Sequence, residues 1–460
     1  MQKVDRSDLE VVVIGLSPNS DEIVEAREPS GHMFAQLRAS ARELAGWTNF
    51  VNDARAYACE YVAKKFFLDA HEAGSKFVLP RYRDYWAVRS LMRLSGLRII
   101  KAPGGSSANT AMTLGKLLQG MDVKIKLLGS VGDDRAGRKN LEAFRECGIQ
   151  LVSTSAQIQD RTHTNLVIFS HEHQDRWIAK DSSDYDDSFF RKAIDAVSGF
   201  LDKNRHENIE YPIEPVDVPS LLEKPSLVVL LAQLAEKKSA EFDEILNKCL
   251  QKNIPIALSP PTSKNYAPAL KQQIIDALPN VDVFLCNAGE LCALFGKNTQ
   301  DSLEEIRKIY AAPAQSRTKE QFFTGEQVAF VTNGNGTKYI VTKGSVDEIH
   351  TIQSPKVVNT LGAGDTFAAG VLAMLARGAS HNQAALFGSV LATCAVEQLH
   401  AVVDQPMEAV RAFLDRVDQA SEGHQDLEHD YFLGGNLEAP QAVTQGQTGR
   451  RRPSSICDVA

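Results

Sequence analysis

The 460-residue chain has no apolar run near the roughly 20 residues that a membrane-spanning helix needs. Its longest, Leu227–Ala232 with its neighbours, has the length of a buried strand. It has no CxxC pair. The seven cysteines (Cys59, Cys147, Cys249, Cys286, Cys292, Cys394, Cys457) are scattered, and only Cys286 and Cys292 lie close in sequence. An odd, dispersed set reads as reduced thiols and argues against a disulfide framework or a zinc site. Basic residues are not in excess: 50 Lys and Arg face 58 Asp and Glu, a formal charge of −8. This argues against wholesale binding to nucleic acid or an anionic membrane, which needs a basic face. Anionic small molecules stay open, because backbone N–H groups bind phosphate whatever the net charge. The first apolar run is followed by Gly15-Leu16-Ser17-Pro18-Asn19-Ser20 instead of GxGxxG, so a NAD-dependent dehydrogenase fails at its first requirement. No 20- to 50-residue repeat marks a solenoid. Met1–Glu10 is too charged for a signal peptide, and the expected location is the cytoplasm.

What remains is the composition of a globular protein, 43% hydrophobic and 23% charged, long enough to bury a large core. Short β-branched runs recur at Leu9–Gly15, Val123–Gly129, Asn165–Ser170, Leu227–Ala232, Ile254–Leu258, Val281–Leu285, Val328–Thr332 and Lys338–Thr342, with helical patterns between them. Most are continuously apolar, as strands covered on both faces must be, so the pattern predicts a mostly parallel α/β sheet flanked by helices. Residues 33–97 break this rhythm with an amphipathic helical pattern (Phe34, Leu37, Leu44, Trp47, Phe50, Tyr57, Tyr61, Phe66) and no clear strand. Stretches 202–223 and 312–327 read as polar loops. After about Ala420 the apolar content is too low to offset ordering entropy, which predicts a disordered tail. Its Arg451-Arg452-Pro453-Ser454 run has the pattern of a basophilic phosphorylation site.

The most informative segment is Asn359-Thr360-Leu361-Gly362-Ala363-Gly364-Asp365-Thr366-Phe367, followed by an Ala- and Leu-rich helical stretch. Two glycines allow a tight turn, and the turn opens a helix whose first N–H groups lack intrahelical partners. Such an end is an anion hole. A carboxylate in its mouth would repel phosphate unless it acted chemically, and Asp365 is placed to take a proton from an attacking hydroxyl. Helix statistics alone favour the plainer reading of Asp365 as a capping residue.

Further motifs give this one a context. Gly104-Gly105-Ser106-Ser107-Ala108-Asn109-Thr110 leads into a small-residue helix, and Leu128-Gly129-Ser130-Val131-Gly132-Asp133-Asp134 follows. Asn287-Ala288-Gly289-Glu290 and Thr332-Asn333-Gly334 each end an apolar run. In this order the set resembles the ribokinase-like, or PfkB, carbohydrate kinase family. That resemblance implies a three-layer α/β/α core with a mostly parallel sheet and a small lid, using ATP and Mg²⁺. It implies Asp365 as general base, with Gly362, Ala363 and Gly364 holding the transferring group. Gly104, Gly105, Asn109 and Asp21 would meet the acceptor; Asn287, Glu290, Thr332 and Gly334 the nucleotide; and Glu290 the metal. Read locally, Asn287 is equally a helix cap with Glu290 in solvent, Thr332–Gly334 a strand-ending turn, and Gly104–Asn109 a glycine turn before a helix. Asp133 and Asp134 read as loop and capping residues. Arg176 stands near a phosphate-reaching arginine of some relatives, or is a surface residue.

The chain also departs from that family. Ser20 stands where relatives place a substrate-binding Asp, and Asp21 comes one residue later. Either the turn after Gly15 has an extra residue or the usual grip on a sugar diol is missing. Ser259-Pro260-Pro261 replaces Asp-Pro-Asn, and Asn359 replaces the Asp before the GAGD turn, which weakens any K⁺ site there. The 33–97 insertion suits a helical lid, an interface in a homodimer, or decoration of the core. The expected organisation is one kinase domain over 1–418, containing the 33–97 insertion, with a tail over 419–460. The expected reaction is phosphorylation of a hydroxymethyl group on a sugar or nucleoside. Cues for the adenosine-kinase-like branch and for sugar kinases conflict. The rival reading is a catalytically weak relative that binds or regulates.

Overall fold

The computed structural model describes residues 9–14, 19–26, 76–79, 89, 99–129, 131–132, 134–153, 162–170, 175–181, 214–215, 222, 226–232, 239–261, 266–312, 326–350, 354 and 356–420. Fifteen strands are found among them: β1 Leu9–Ile14, β2 Asn19–Ala26, β3 Lys76–Leu79, β4 Ile99–Gly104, β5 Val123–Leu128, β6 Ile149–Ser153, β7 Thr164–Ser170, β8 Asp175–Asp181, β9 Glu214–Pro215, β10 Leu227–Leu231, β11 Ile256–Ser259, β12 Val283–Asn287, β13 Val328–Thr332, β14 Lys338–Val341 and β15 Val346–Ile349. The helices are α1 Ser106–Leu117, α2 Arg135–Glu146, α3 Ser239–Gln251, α4 Pro268–Ala277, α5 Ala288–Phe295, α6 Thr299–Ala311, α7 Ala363–Ala376, α8 His381–Val396 and α9 Pro406–Ala420.

Ten strands form one sheet in the order β15-β14-β13-β12-β11-β10-β1-β5-β6-β9. Every pairing from β9 to β13 is parallel, and only β14 and β15 are added antiparallel, as a hairpin edge. The continuous apolar runs have their cause here. All five residues of β10 are buried, because helices cover both sides of the sheet. Val12, Ile14, Val228, Leu230, Ile256, Leu258 and Phe284 pack on one side with Phe242 of α3, Ile274 of α4, Leu291 of α5 and Ile306 of α6. On the other side α1 packs against β1 and β5, and α7 against β12. Truncating one of these fully buried leucines to alanine costs about 2–5 kcal/mol.

A second, five-stranded mixed sheet runs β3-β8-β7-β2-β4. β2 pairs antiparallel with β4 and parallel with β7, so three segments distant in sequence meet. Its β3 corrects the expectation that 33–97 holds no strand. Apart from β3 and Arg89, that insertion lies outside the described residues, so its expected helices, lid and interface do too. The chain divides into two compact units, 1–413 and 414–460. Of the second, residues 414–420 are described, as the end of α9, and the expected tail from 421 onward lies outside the described residues. The five described cysteines form no disulfide with one another. No helix among the described residues is long and apolar enough to cross a membrane.

Candidate active site

A cleft of about 280 Å³ lies where the C-terminal ends of the parallel strands meet the second sheet. Leu231 of β10, Ser259 of β11, Asn287 of β12 and Thr332 of β13 all line it, each at or next to its strand's last residue. Carboxyl ends of parallel strands are where open α/β sheets bind ligands, since the following helices present their N-termini there. Asp21 of β2 with Asn165 and Val167 of β7 forms the facing wall.

The N-terminus of α7 is the floor. Its N-cap is Gly362, with φ 73°, a left-handed value that disfavours other residues, and a Cβ there would stand 2.5 Å from Ala401 Cβ. No side chain caps this helix. Gly364 is exposed in the cleft, while the Ala363 amide reaches the Thr360 carbonyl at 3.5 Å, the outer limit of a hydrogen bond. Of the expected amide trio, Gly362 and Gly364 line the cleft and Ala363 does not. Asp365 lies in the first turn and is not the N-cap, which answers the capping alternative. Asn109 Nδ2 donates to Asp365 Oδ2 at 2.9 Å. Asn109 is 3% exposed and its Oδ1 is buried without a partner, so a donor in the cleft would find an acceptor there.

α1 also ends in the cleft without a side-chain cap, its N-cap Gly105 at φ 91° and Gly105 and Ser106 lining the space. By contrast α5 satisfies itself. Asn287 Oδ1 accepts from the Glu290 amide at 2.8 Å, and Glu290 Oε2 from the Asn287 amide at 3.0 Å, a reciprocal capping box. The local capping reading of Asn287 is therefore seen, but Glu290 is 8% exposed and lines the cleft, which corrects its placement in solvent. Two bare helix ends and one capped end face the same space, and the bare ends carry the unsatisfied positive dipole.

Asp21 is 4% exposed and lines the cleft, so a carboxylate does stand on the wall expected to meet the acceptor. Gly104 lies behind it: a Cβ at Gly104 would come within 2.1 Å of Asp21 Oδ2. Gly104 thus supports the wall without lining it. Gly334 also lies outside the cleft lining, in the turn after β13, and Thr332 Oγ1 donates to the Cys286 carbonyl at 3.4 Å. Asp134 caps α2, accepting from the Gly137 amide at 2.7 Å, as its local pattern predicts. Arg176 lies on β8, its side chain outside the described residues. Cys286 lines the cleft, but burial, and then the nearby Glu290, push its thiol well above the usual range, which leaves it protonated and a poor nucleophile. Asn165 escaped the motif reading. Its signal was a polar residue opening an apolar strand, two positions from Val167 and so on the same face.

Residues 95–407 match the family described as pfkB family carbohydrate kinase. The chain belongs to that family. As a pfkB member it is a sugar or nucleoside kinase in the general sense. It is similar to ribokinase of Bacillus subtilis, with 26% identity over 297 residues, covering 64% of this chain and 81% of that protein. Its fold is shared with adenosine kinase from Sinorhizobium meliloti (TM-score 0.57, 15% identity, 90% of this chain and 99% of that one). Adenosine kinase from Schistosoma mansoni in complex with 2-fluoroadenosine has the same fold (TM-score 0.58, 13% identity, 88% and 100%). At these identities the two structures attest the ribokinase-like fold of this pfkB protein and leave its acceptor open.

Two ions common in such kinases can be tried against the residues present. Mg²⁺ binds through one or two carboxylates together with phosphate oxygens and waters. Glu290, buried at the cleft edge, suits that chemistry, and no cluster of three acidic, His or Cys ligands occurs among the described residues. K⁺ fits less well. Asn359 is 0% exposed, its Nδ2 donates to the Leu399 carbonyl at 2.8 Å and its Oδ1 accepts from the Leu361 amide at 2.9 Å. The side chain ties two loops together and brings no negative charge to a cation.

Proposed function

We propose that this protein transfers the γ-phosphoryl group of ATP to a hydroxymethyl group of a sugar or nucleoside, with Asp365 as general base. The observation that carries this reading is the uncapped end of α7, where an exposed glycine amide and a carboxylate held by Asn109 share one turn. The acceptor hydroxyl gives its proton to the Asp365 carboxylate as its oxygen bonds to the γ-phosphorus, and the bond from that phosphorus to the β-bridging oxygen breaks to release ADP. Asn109 holds Asp365 by one oxygen, so the carboxylate meets the hydroxyl in a set orientation. The amides of Gly362 and Gly364 and the helix dipole face the charge on the transferring group. Phosphoryl transfer rests on such positioning and charge stabilisation, which fits a site without a reactive thiol. Glu290 would hold Mg²⁺, which when bound neutralises triphosphate charge.

Coupled ADP release against adenosine, inosine, ribose, fructose and their relatives tests the reading. Acceptor-dependent release is expected with at least one of them. Tight acceptor binding with no turnover would instead favour the binding or regulatory role. Because Asn359 is committed to two backbone partners, replacing K⁺ by Na⁺ at constant ionic strength should leave turnover essentially unchanged. A marked loss would show a cation site elsewhere.

A further inference from the structure

We propose that Arg377 is a positioning residue for the transfer step, tying α1 to α7 at the end away from the cleft and so setting the register in which Asn109 meets Asp365. The proposal rests on the kinase reading above and adds to it a residue outside the cleft lining. The two helices pack along each other, each with its uncapped N-terminus in the cleft. At that end Asn109 Nδ2 donates to Asp365 Oδ2 at 2.9 Å. At the other end Arg377, the C-cap of α7, donates from Nη2 to the carbonyl of Leu117, the last residue of α1, at 2.6 Å. About 12 Å of α1 separate Asn109 from Leu117, and about 18 Å of α7 separate Asp365 from Arg377, at about 1.5 Å per residue. The long arginine side chain, leaning toward the N-terminus of its own helix, spans the difference.

Parallel helices set side by side bring like dipole ends together, so the negative ends of α1 and α7 lie near Leu117 and Arg377. Arg377 puts a cation there and takes up one of the last carbonyls of α1, which have no partner within the helix. Lys116 lies at the same end, but it pairs with the exposed Asp404 and reaches the Val403 carbonyl in the loop after α8, so it does not join the two helices directly. The arginine is held at a cost. Burial pulls its guanidinium below its ordinary pKa, and its Nε is buried without a partner among the described residues. A methionine of similar length would fill the space without that penalty, so stability alone does not account for a guanidinium here. A fixed register does. If α1 slid by about 1 Å against α7, the bond from Asn109 to Asp365 would open beyond hydrogen-bonding range. The carboxylate would then lose its set orientation toward the acceptor hydroxyl.

The test measures steady-state kinetics of the full chain, with an acceptor that it turns over, for Arg377→Met and Arg377→Lys in the wild-type and Asn109→Ala backgrounds. Arg377→Met should lower kcat about 10-fold, within the roughly 10²-fold that a misplacement of about 1 Å can bring, while KM for ATP and for the acceptor hold. Arg377→Lys keeps a charged donor at the helix ends and should recover part of the loss. With Asn109→Ala in place the bond that Arg377 aligns is gone, so adding Arg377→Met should change kcat less than about twofold. A residue that only holds the fold together would reduce kcat by the same factor in both backgrounds. That additivity, or an unchanged kcat in Arg377→Met, would overturn the proposal while leaving the kinase reading intact. If wild type turns over no acceptor, the kinase reading fails instead. Solvent exchange of the Asn109 side-chain amide protons then decides the role of Arg377, followed by NMR on protein carrying isotope-labelled asparagine, with Asn109→Ala identifying the signal. Faster exchange in Arg377→Met supports the tie, and equal exchange counts against it.

Discussion

The two walls of the cleft are built on different principles. The wall that the proposed function gives to the phosphate stands on parallel strands buried on both faces and presents backbone: the bare end of α7 and a glycine in its mouth. The facing wall, which the proposed function gives to the acceptor, stands on a small mixed sheet and presents side chains, Asp21 and Asn165, held in register across β2 and β7. Backbone amides bind any phosphoryl group, whereas side chains distinguish one hydroxyl pattern from another. On the proposed reading, the general chemistry falls to the large sheet and selectivity to the second one.

The largest expected effect falls on the first wall. Asp365→Asn should lower kcat by about 10²–10⁴, the usual size of a lost general base, with acceptor KM little changed. Near-normal turnover would move the reaction away from α7. Asn109→Ala should lower kcat about 10- to 100-fold through the lost bond to the carboxylate, while KM for ATP stays near wild type. A change in KM for ATP alone would place Asn109 with the nucleotide instead.

A pair of glycine variants separates what the fold needs from what the ligand needs. Gly362→Ala meets both a left-handed backbone and Ala401 and should cost about 1–3 kcal/mol, read as a lower melting temperature. At Gly364 a Cβ meets nothing and the backbone is helical, so the alanine variant should melt no lower than wild type. It should nonetheless raise KM for ATP, because the close approach belongs to the phosphate. Normal kinetics in Gly364→Ala would remove the backbone-cradle account.

The last effect lies in the β14–β15 hairpin, outside the cleft lining. Burial in β14 lowers Lys338 from 10.5 to about 8. Between those pH values the folded chain binds fewer protons than the unfolded chain, so stability rises with pH across the window. In Lys338→Met that rise should be missing, with kinetics at pH 7 unchanged. Parallel pH profiles of the two proteins would contradict the desolvated lysine.

The same contrast explains what could be read in advance. Strands of the large sheet are apolar on both faces, so β10 and β12 show as unbroken runs. β2 (NSDEIVEA) and β8 (DRWIAKD) carry charges throughout and imitate loops, and β3 interrupts a stretch with helical periodicity. Asp365 was visible because its glycine turn is local. Asn165 was not, because its meaning depends on Asp21, 144 residues earlier, and on a pairing no local pattern encodes. Glu290 lay between the two, its capping box readable and its burial in the cleft not.

Both walls serve one proposed step, direct transfer of the γ-phosphoryl group from ATP to a hydroxymethyl oxygen. Its most direct test is a reaction with ATP labelled in the γ-phosphate, followed by product isolation and assignment of the phosphorylated carbon by NMR. Direct transfer puts the label in the acceptor, on the hydroxymethyl oxygen, and leaves it absent with Asp365→Asn on the same time scale. Label appearing only as inorganic phosphate, or on a ring hydroxyl, would contradict it.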